Sequence, residues 1–245
     1  MIAYKLLRLI FLLFSGLLTC ALVFPLTNAA GRERRIKDWS ARLLKICGVH
    51  VIVNKAADEM PVHGALIVAN HISWLDIFVI NSMQPCRFVA KSDIRDWPLL
   101  GWLCDKAGTI FIARGRQRDV RRIYEGLVAS IRKGERIAFF PEGTTAVQGK
   151  ILPFHANLFE AAIEAKVPIQ PYALRYMDSA GNLHSAAEFI GDTTFVQSVM
   201  AILKSDGMIT EVTILPAIDS RGAHRRELAG AARSAIGTAL GYLPN

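Results

Sequence analysis

The residues best equipped for chemistry lie in Asn70-His71-Ile72-Ser73-Trp74-Leu75-Asp76. A carboxylate bonded to one imidazole nitrogen leaves the other nitrogen free as a general base, the base-and-orienter part of a hydrolase triad. Such a pair meets only if a turn intervenes, because two helical residues at this spacing stand roughly 140° apart around the helix. The flanking sequence supplies the turn. Ala65-Leu66-Ile67-Val68-Ala69 is an apolar run short enough for a buried strand, and Ser73 with Asp76, just before Ile77-Phe78-Val79-Ile80, has the form of a capping box. His71 is expected just outside the helix and Asp76 in its first turn, folded back onto the imidazole. No nucleophilic side chain stands beside the pair, so the attacking group is expected to be a substrate hydroxyl. Read alone, these seven residues fit a capped helix with a polar loop histidine equally well.

A second stretch adds weight. Ile137-Ala138-Phe139-Phe140 reads as another buried strand and runs into Pro141-Glu142-Gly143-Thr144-Thr145. A glycine at a strand end lets the backbone approach a ligand and present its N–H groups. Two further segments are Gly108-Thr109-Ile110-Phe111-Ile112-Ala113-Arg114 and Val167-Pro168-Ile169-Gln170-Pro171-Tyr172-Ala173. A His and an Asp separated by four residues, followed in order by these three blocks, resemble the glycerolipid acyltransferase family, the enzymes that acylate lysophosphatidic acid and its relatives. The resemblance spans roughly residues 65 to 175.

The resemblance implies that His71 and Asp76 are the catalytic pair and that Glu142, Gly143 and Thr144 bind the acceptor's glycerol phosphate. Like charges repel, so Glu142 is expected to bond an acceptor hydroxyl or to orient an Arg rather than to touch phosphate. Arg114, at the end of the second block, is expected to clamp phosphate from the mouth of the sheet; Lys91 is a weaker candidate. One departure stands out. Many family members that use lysophosphatidic acid carry Arg-Ser after Glu-Gly-Thr, whereas Thr145-Ala146 follow here. That leaves Arg114 to do more and brings in lyso-ornithine lipid as another acceptor within the same family.

The chain has 245 residues, a length that favours one domain with ample core. Hydrophobic residues make up 52% and mean hydropathy is +0.29, which points toward a membrane. A net charge of +8 favours anionic partners such as lipid surfaces or phosphorylated substrates. No zinc-finger spacing, RNP-type aromatic pattern or basic tail supports nucleic-acid binding. Cys20, Cys47, Cys86 and Cys104 have no paired spacing, which suggests a reducing compartment.

Leu9 to Leu26 is almost wholly apolar and adequate for a membrane anchor; a cleaved signal peptide or a re-entrant segment would also satisfy it. Basic residues are denser after this run (Arg32, Arg34, Arg35, Lys37) than before it (Lys5, Arg8), which places the rest of the chain on the cytoplasmic face of the membrane. Ile36, Trp39, Leu43, Leu44 and Cys47 then recur at helical spacing, either at the lipid interface or packed on the domain. Apolar runs at 51–53, 65–69, 87–89, 109–113, 137–140, 169–175 and 212–215 alternate with helical patterns near 74–82, 97–106, 118–132, 155–166, 194–203 and 223–241. The alternation predicts an α/β fold with a mostly parallel central sheet flanked by helices, behind an N-terminal membrane-anchoring arm. Residues 1–48 are expected to form the anchor and amphipathic helix, and residues 49–245 the acyltransferase domain.

The expected reaction is acyl transfer from acyl-CoA or acyl carrier protein to the free hydroxyl of 1-acyl-glycerol-3-phosphate, forming phosphatidic acid. Without a Ser or Cys in place for an acyl-enzyme, direct transfer in a ternary complex is expected. No cofactor is expected, and no metal: His71, Asp76 and His63 lack a suitably spaced further ligand. The alternatives are acylation of lyso-ornithine lipid and a non-catalytic lipid-binding protein built on the same fold.

Overall fold

The structure, a computed structural model, describes residues 2–55, 64–112 and 117–242, with residues 117–123 as backbone only. Arg114, Ala113 and His63, named above, lie outside the described residues.

Helix α1 (Ile2–Leu18) runs on through a π turn at Thr19–Val23 and a 3-10 turn at Phe24–Leu26, where Pro25 ends the helical path. These 25 residues form a helix long and apolar enough to cross a membrane. Asn28 caps the next helix, α2 (Ala29–Cys47), by accepting the Gly31 N–H at 2.9 Å. The two helices fold back on each other. Trp39 donates its indole N–H to the Leu12 carbonyl at 2.9 Å, and a Cβ on Gly16 would stand 2.8 Å from Trp39 Nε1, so only a hydrogen at that position admits the indole.

The apolar side of α2 packs on the domain. Leu43, Leu44, Ile46 and Cys47 join the domain core, and Trp39 lies against Phe78 with ring centroids 5.6 Å apart. Helix α1 also lies along the domain: Leu6, Leu9 and Leu12 pack on the same core, and Lys5 donates to the Leu203 carbonyl at 3.2 Å. Its opposite side carries Tyr4, Leu7, Phe11, Phe14, Leu18 and Leu22, all exposed.

Beyond the hairpin the chain alternates as the sequence predicts. Strands β1 (Val49–Lys55) and β2 (Leu66–Ala69) precede α3 (Leu75–Met83). Then come β3 (Arg87–Lys91), α4 (Leu100–Lys106), β4 (Ile110–Ile112), α5 (Gln117–Arg132) and β5 (Ile137–Phe139). The chain continues through α6 (Glu160–Ala165), β6 (Ile169–Met177), α7 (Phe195–Lys204), β7 (Met208–Ile214) and α8 (Arg225–Ala239). Among the described residues the strands form a seven-stranded sheet, β1-β7-β6-β2-β5-β3-β4. Neighbours run parallel except β6 and β7, where Tyr172 pairs with Ile214 and Met177 with Ile209.

Strand alternation divides the core between two faces. Ile67, Ala69, Ala138, Tyr172, Leu174 and Tyr176 pack toward α1, α2, α3 and α7. Leu66, Val68, Ile137, Phe139 and Ala173 pack toward α5, α6 and α8. Cys47 and Cys86 are buried free thiols, each pushed up to about 12 by burial, so they remain protonated and inert.

Strands β2 and β5 are neighbours, yet the chain leaves them in opposite directions. From β2 it crosses to β3 on one side, and from β5 it crosses to β6 on the other. This is a topological switch point, where the two departing loops open a crevice outside the strands' carboxyl ends. The His71 and Glu142 segments are those two loops.

Candidate active site

His71 follows the end of β2 by two residues, and Asp76 sits in the first turn of α3. The carboxylate folds back as expected: Asp76 Oδ2 lies 2.8 Å from His71 Nδ1. The capping box forms only in half. Asp76 Oδ2 accepts the Ser73 N–H at 2.9 Å, but the Asp76 N–H goes to the Ser73 carbonyl at 3.1 Å, and the buried Ser73 hydroxyl makes no hydrogen bond. Helix α3 starts one residue later than the box requires, behind Trp74, which offers no side-chain cap. The reason is that Oδ2 also takes the Ile72 N–H at 2.7 Å. The turn is wound around the carboxylate instead of around the serine.

Asp76 is wholly buried, so its charge must be met inside the protein. Oδ2 meets the imidazole and two main-chain N–H groups, and Oδ1 accepts the Tyr176 hydroxyl at 2.6 Å. A carboxylate held by this many donors stays in place and stabilises an imidazolium beside it. With Nδ1 engaged, His71 Nε2 is the nitrogen available to a substrate, and it has no hydrogen-bond partner among the described residues. The side chain is 18% exposed, enough to be reached from the crevice.

The second loop wraps the same histidine. Phe140 stacks on the imidazole with centroids 3.9 Å apart and planes at 7°. Glu142 Oε1 accepts the His71 main-chain N–H at 2.8 Å, and the Ala146 N–H donates to the His71 carbonyl at 2.8 Å. Glu142 Oε2 takes the Leu152 N–H at 2.9 Å. Glu142 is expected from the sequence to bond an acceptor hydroxyl or to orient an Arg; in the structure it is buried, and each of its oxygens accepts one main-chain N–H. It joins the β2 and β5 loops. Burial pushes its carboxyl above the usual range, a rise that the Leu152 and His71 N–H groups offset in part.

Gly143 adopts a left-handed conformation (φ 69°), and a Cβ there would lie 3.2 Å from His155 Cδ2. Thr144 is exposed at the crest of the turn, while Thr145 donates its hydroxyl to the Phe189 carbonyl and faces away from it. Lys91 is exposed at the end of β3, and Val167 and Ile169 pack as core. Among the described residues no group of three or more His, Cys, Asp or Glu side chains is placed to hold a metal ion.

Three contributors were not singled out by sequence reasoning. Tyr176 lies past the end of the predicted strand 169–175; the period-2 series Tyr172, Leu174, Tyr176 was the signal that could have extended it. Asn70 and Gln148 are the others. Strand β2 pairs with β6 only as far as Tyr172, leaving the next main-chain groups of that edge unpaired. Asn70 fills the gap by accepting the Leu174 N–H at 2.8 Å and donating to its carbonyl at 2.9 Å. Gln148 does the same at Tyr176, accepting its N–H at 2.7 Å and donating to its carbonyl at 3.2 Å. Two amide side chains continue the strand where the backbone has left.

Comparison with known proteins shows which family has this arrangement. The Acyltransferase family profile matches residues 51–175. The lyso-ornithine lipid O-acyltransferase of Pseudomonas aeruginosa is 37% identical over 209 residues, covering 85% of this chain and 79% of that protein. The 1-acyl-sn-glycerol-3-phosphate acyltransferase of Neisseria meningitidis serogroup B is 33% identical over 191 residues, covering 77% and 74%. The crystal structure of the 1-acyl-sn-glycerophosphate acyltransferase PlsC from Thermotoga maritima shares the fold, with a TM-score of 0.71 over 98% of this chain and 95% of that one, at 18% identity. The chain belongs to the acyltransferase family and is a glycerolipid acyltransferase of the lysolipid type.

Proposed function

We propose that this enzyme moves a fatty acyl chain from an acyl thioester, acyl-CoA or acyl carrier protein, onto the free hydroxyl of 1-acyl-glycerol-3-phosphate, forming phosphatidic acid. The observation that carries the reading is the His71–Asp76 bond at 2.8 Å, made through Nδ1. The acceptor hydroxyl attacks the thioester carbonyl while His71 Nε2 takes its proton, and Asp76 supports the imidazolium. Collapse of the tetrahedral intermediate breaks the C–S bond, and the leaving thiolate receives the proton back from His71. In this reading Glu142 holds the two loops in register, Gly143 and Thr144 form the turn that the acceptor meets, and Arg114 binds its phosphate.

A second acceptor, lyso-ornithine lipid, is favoured by a specific observation. The position after Thr144 carries a hydroxyl turned to the Phe189 carbonyl, where a phosphate-binding turn would benefit from a guanidinium. The name of the Pseudomonas relative points the same way.

The exposed apolar side of α1, opposite the side packed on the domain, is read as the face that enters lipid, with the catalytic domain on the cytoplasmic side of the membrane. Purified protein in detergent, given acyl-CoA with both acceptors in competition, tests the whole reading. Phosphatidic acid formed by the wild type and lost in His71→Ala supports the main reading. Preference for the lyso-ornithine lipid moves the assignment to the second acceptor. Full activity in His71→Ala overturns the mechanism.

A further inference from the structure

The carboxylate that orients His71 has a second oxygen, and what holds it comes from β6, 100 residues further along the chain. Tyr176 is wholly buried, and its hydroxyl lies 2.6 Å from Asp76 Oδ1. Its strand is paired with β7, where Thr210 stands opposite, and its own N–H and carbonyl are both held by the Gln148 amide. The phenol therefore cannot drift without shifting the strand. Burial and the neighbouring Asp76 charge both raise the phenol's pKa, so it remains an O–H donor throughout the working range.

We infer that Tyr176 is a positioning residue for acyl transfer, holding Asp76 Oδ1 so that Oδ2 stays on His71 Nδ1 and tuning the charge which that oxygen presents. The inference rests on His71 acting as the general base. An unheld carboxylate turns about its χ2 angle, a soft two-fold torsion, and takes the imidazole's partner with it. Tyr176 also draws charge from the carboxylate, and its loss leaves more on Oδ2. Both consequences of that loss, a more strongly stabilised imidazolium and a less stabilised carboxylate, disable the base at a higher pH than in the wild type. Among the described residues the other groups in contact with His71 are Phe140 on its face and Glu142 and Ala146 at its main chain, and none of them changes in the variant.

The test is the pH profile of kcat for purified Tyr176→Phe, using whichever acceptor the wild type turns over. Expected are a fall in kcat of about ten-fold with KM for donor and acceptor unchanged, and an acid limb moved up by about half a pH unit. Site-specific 3-fluorotyrosine at 176, a stronger donor in the same shape, should move that limb down, and it keeps the proposal testable if the Phe variant folds poorly. Tyr172→Phe, in the same strand and on the same face, should leave the profile alone. An unmoved acid limb in both Tyr176 variants, with His71→Ala inactive, overturns the role of Tyr176 and leaves the His71 reading intact. Activity retained in His71→Ala overturns both.

Discussion

The imidazole of His71 lies flat on the ring of Phe140, 3.9 Å between centroids and 7° between planes. The two residues come from the loops that leave neighbouring strands β2 and β5 in opposite directions. The stack sets the plane of the base, and the Asp76 bond sets its rotation within that plane. Together they fix where Nε2 points before any substrate arrives, the preorganisation that general-base transfer requires.

Asp76→Asn separates charge from shape. The amide matches the carboxylate in volume but can accept at only one of its two positions, while His71, Ile72, Ser73 and Tyr176 all present donors. Activity should fall by about 10² to 10⁴, and stability by about 1–3 kcal/mol as a buried donor loses its acceptor. Steady-state kinetics and thermal melting measure the two losses separately; undiminished kcat would remove Asp76 from the mechanism.

Glu142→Gln tests whether that residue joins the two loops or binds the acceptor. Loss of one main-chain bond, to His71 or Leu152, should cost about 1–3 kcal/mol. It should lower kcat through a displaced His71 without a selective rise in acceptor KM. The pH dependence carries its own sign. A carboxyl whose folded pKa is raised binds its proton more tightly in the folded protein, so its contribution is greatest below the ordinary value of 4.5 and is lost as pH rises through the raised value. Urea melts of wild type and Glu142→Gln across that interval should show this slope in the wild type alone.

Gly16→Leu probes the hairpin. A side chain there meets Trp39 at 2.8 Å from its first carbon, so the indole must leave the Leu12 carbonyl and α1 must part from α2. Flotation with vesicles of anionic phospholipid should show weaker membrane capture, and melting should show a loss of about 1–3 kcal/mol. Gly16→Ala, smaller but still too close, should fall between.

Much of this architecture was legible in the chain. Each of the seven apolar runs falls in a strand; the central β2 and β5 read as short apolar runs because both of their faces are buried. The meeting of His71 with Asp76 was legible too, since only a non-helical His71 could satisfy the geometry. The role of Glu142 was not. Its type and its place after β5 suggested a ligand-facing acid, and nothing local announces that its partners are main-chain N–H groups at His71 and Leu152. Tyr176, Asn70 and Gln148 were hidden for a related reason. Their partners are chosen by where β2 leaves β6, a property of register that no segment carries alone.

The amide side chains that extend the edge of β6 also order events in time. Asn70 reaches a partner 104 residues further along, and Asp76 reaches one 100 residues further along. A ribosome delivers His71 long before it delivers Tyr176, and contacts this distant must wait for the intervening chain. The growing polypeptide can therefore wind the turn around Asp76 Oδ2 early, but Oδ1 gains its tyrosine only once β6 has docked.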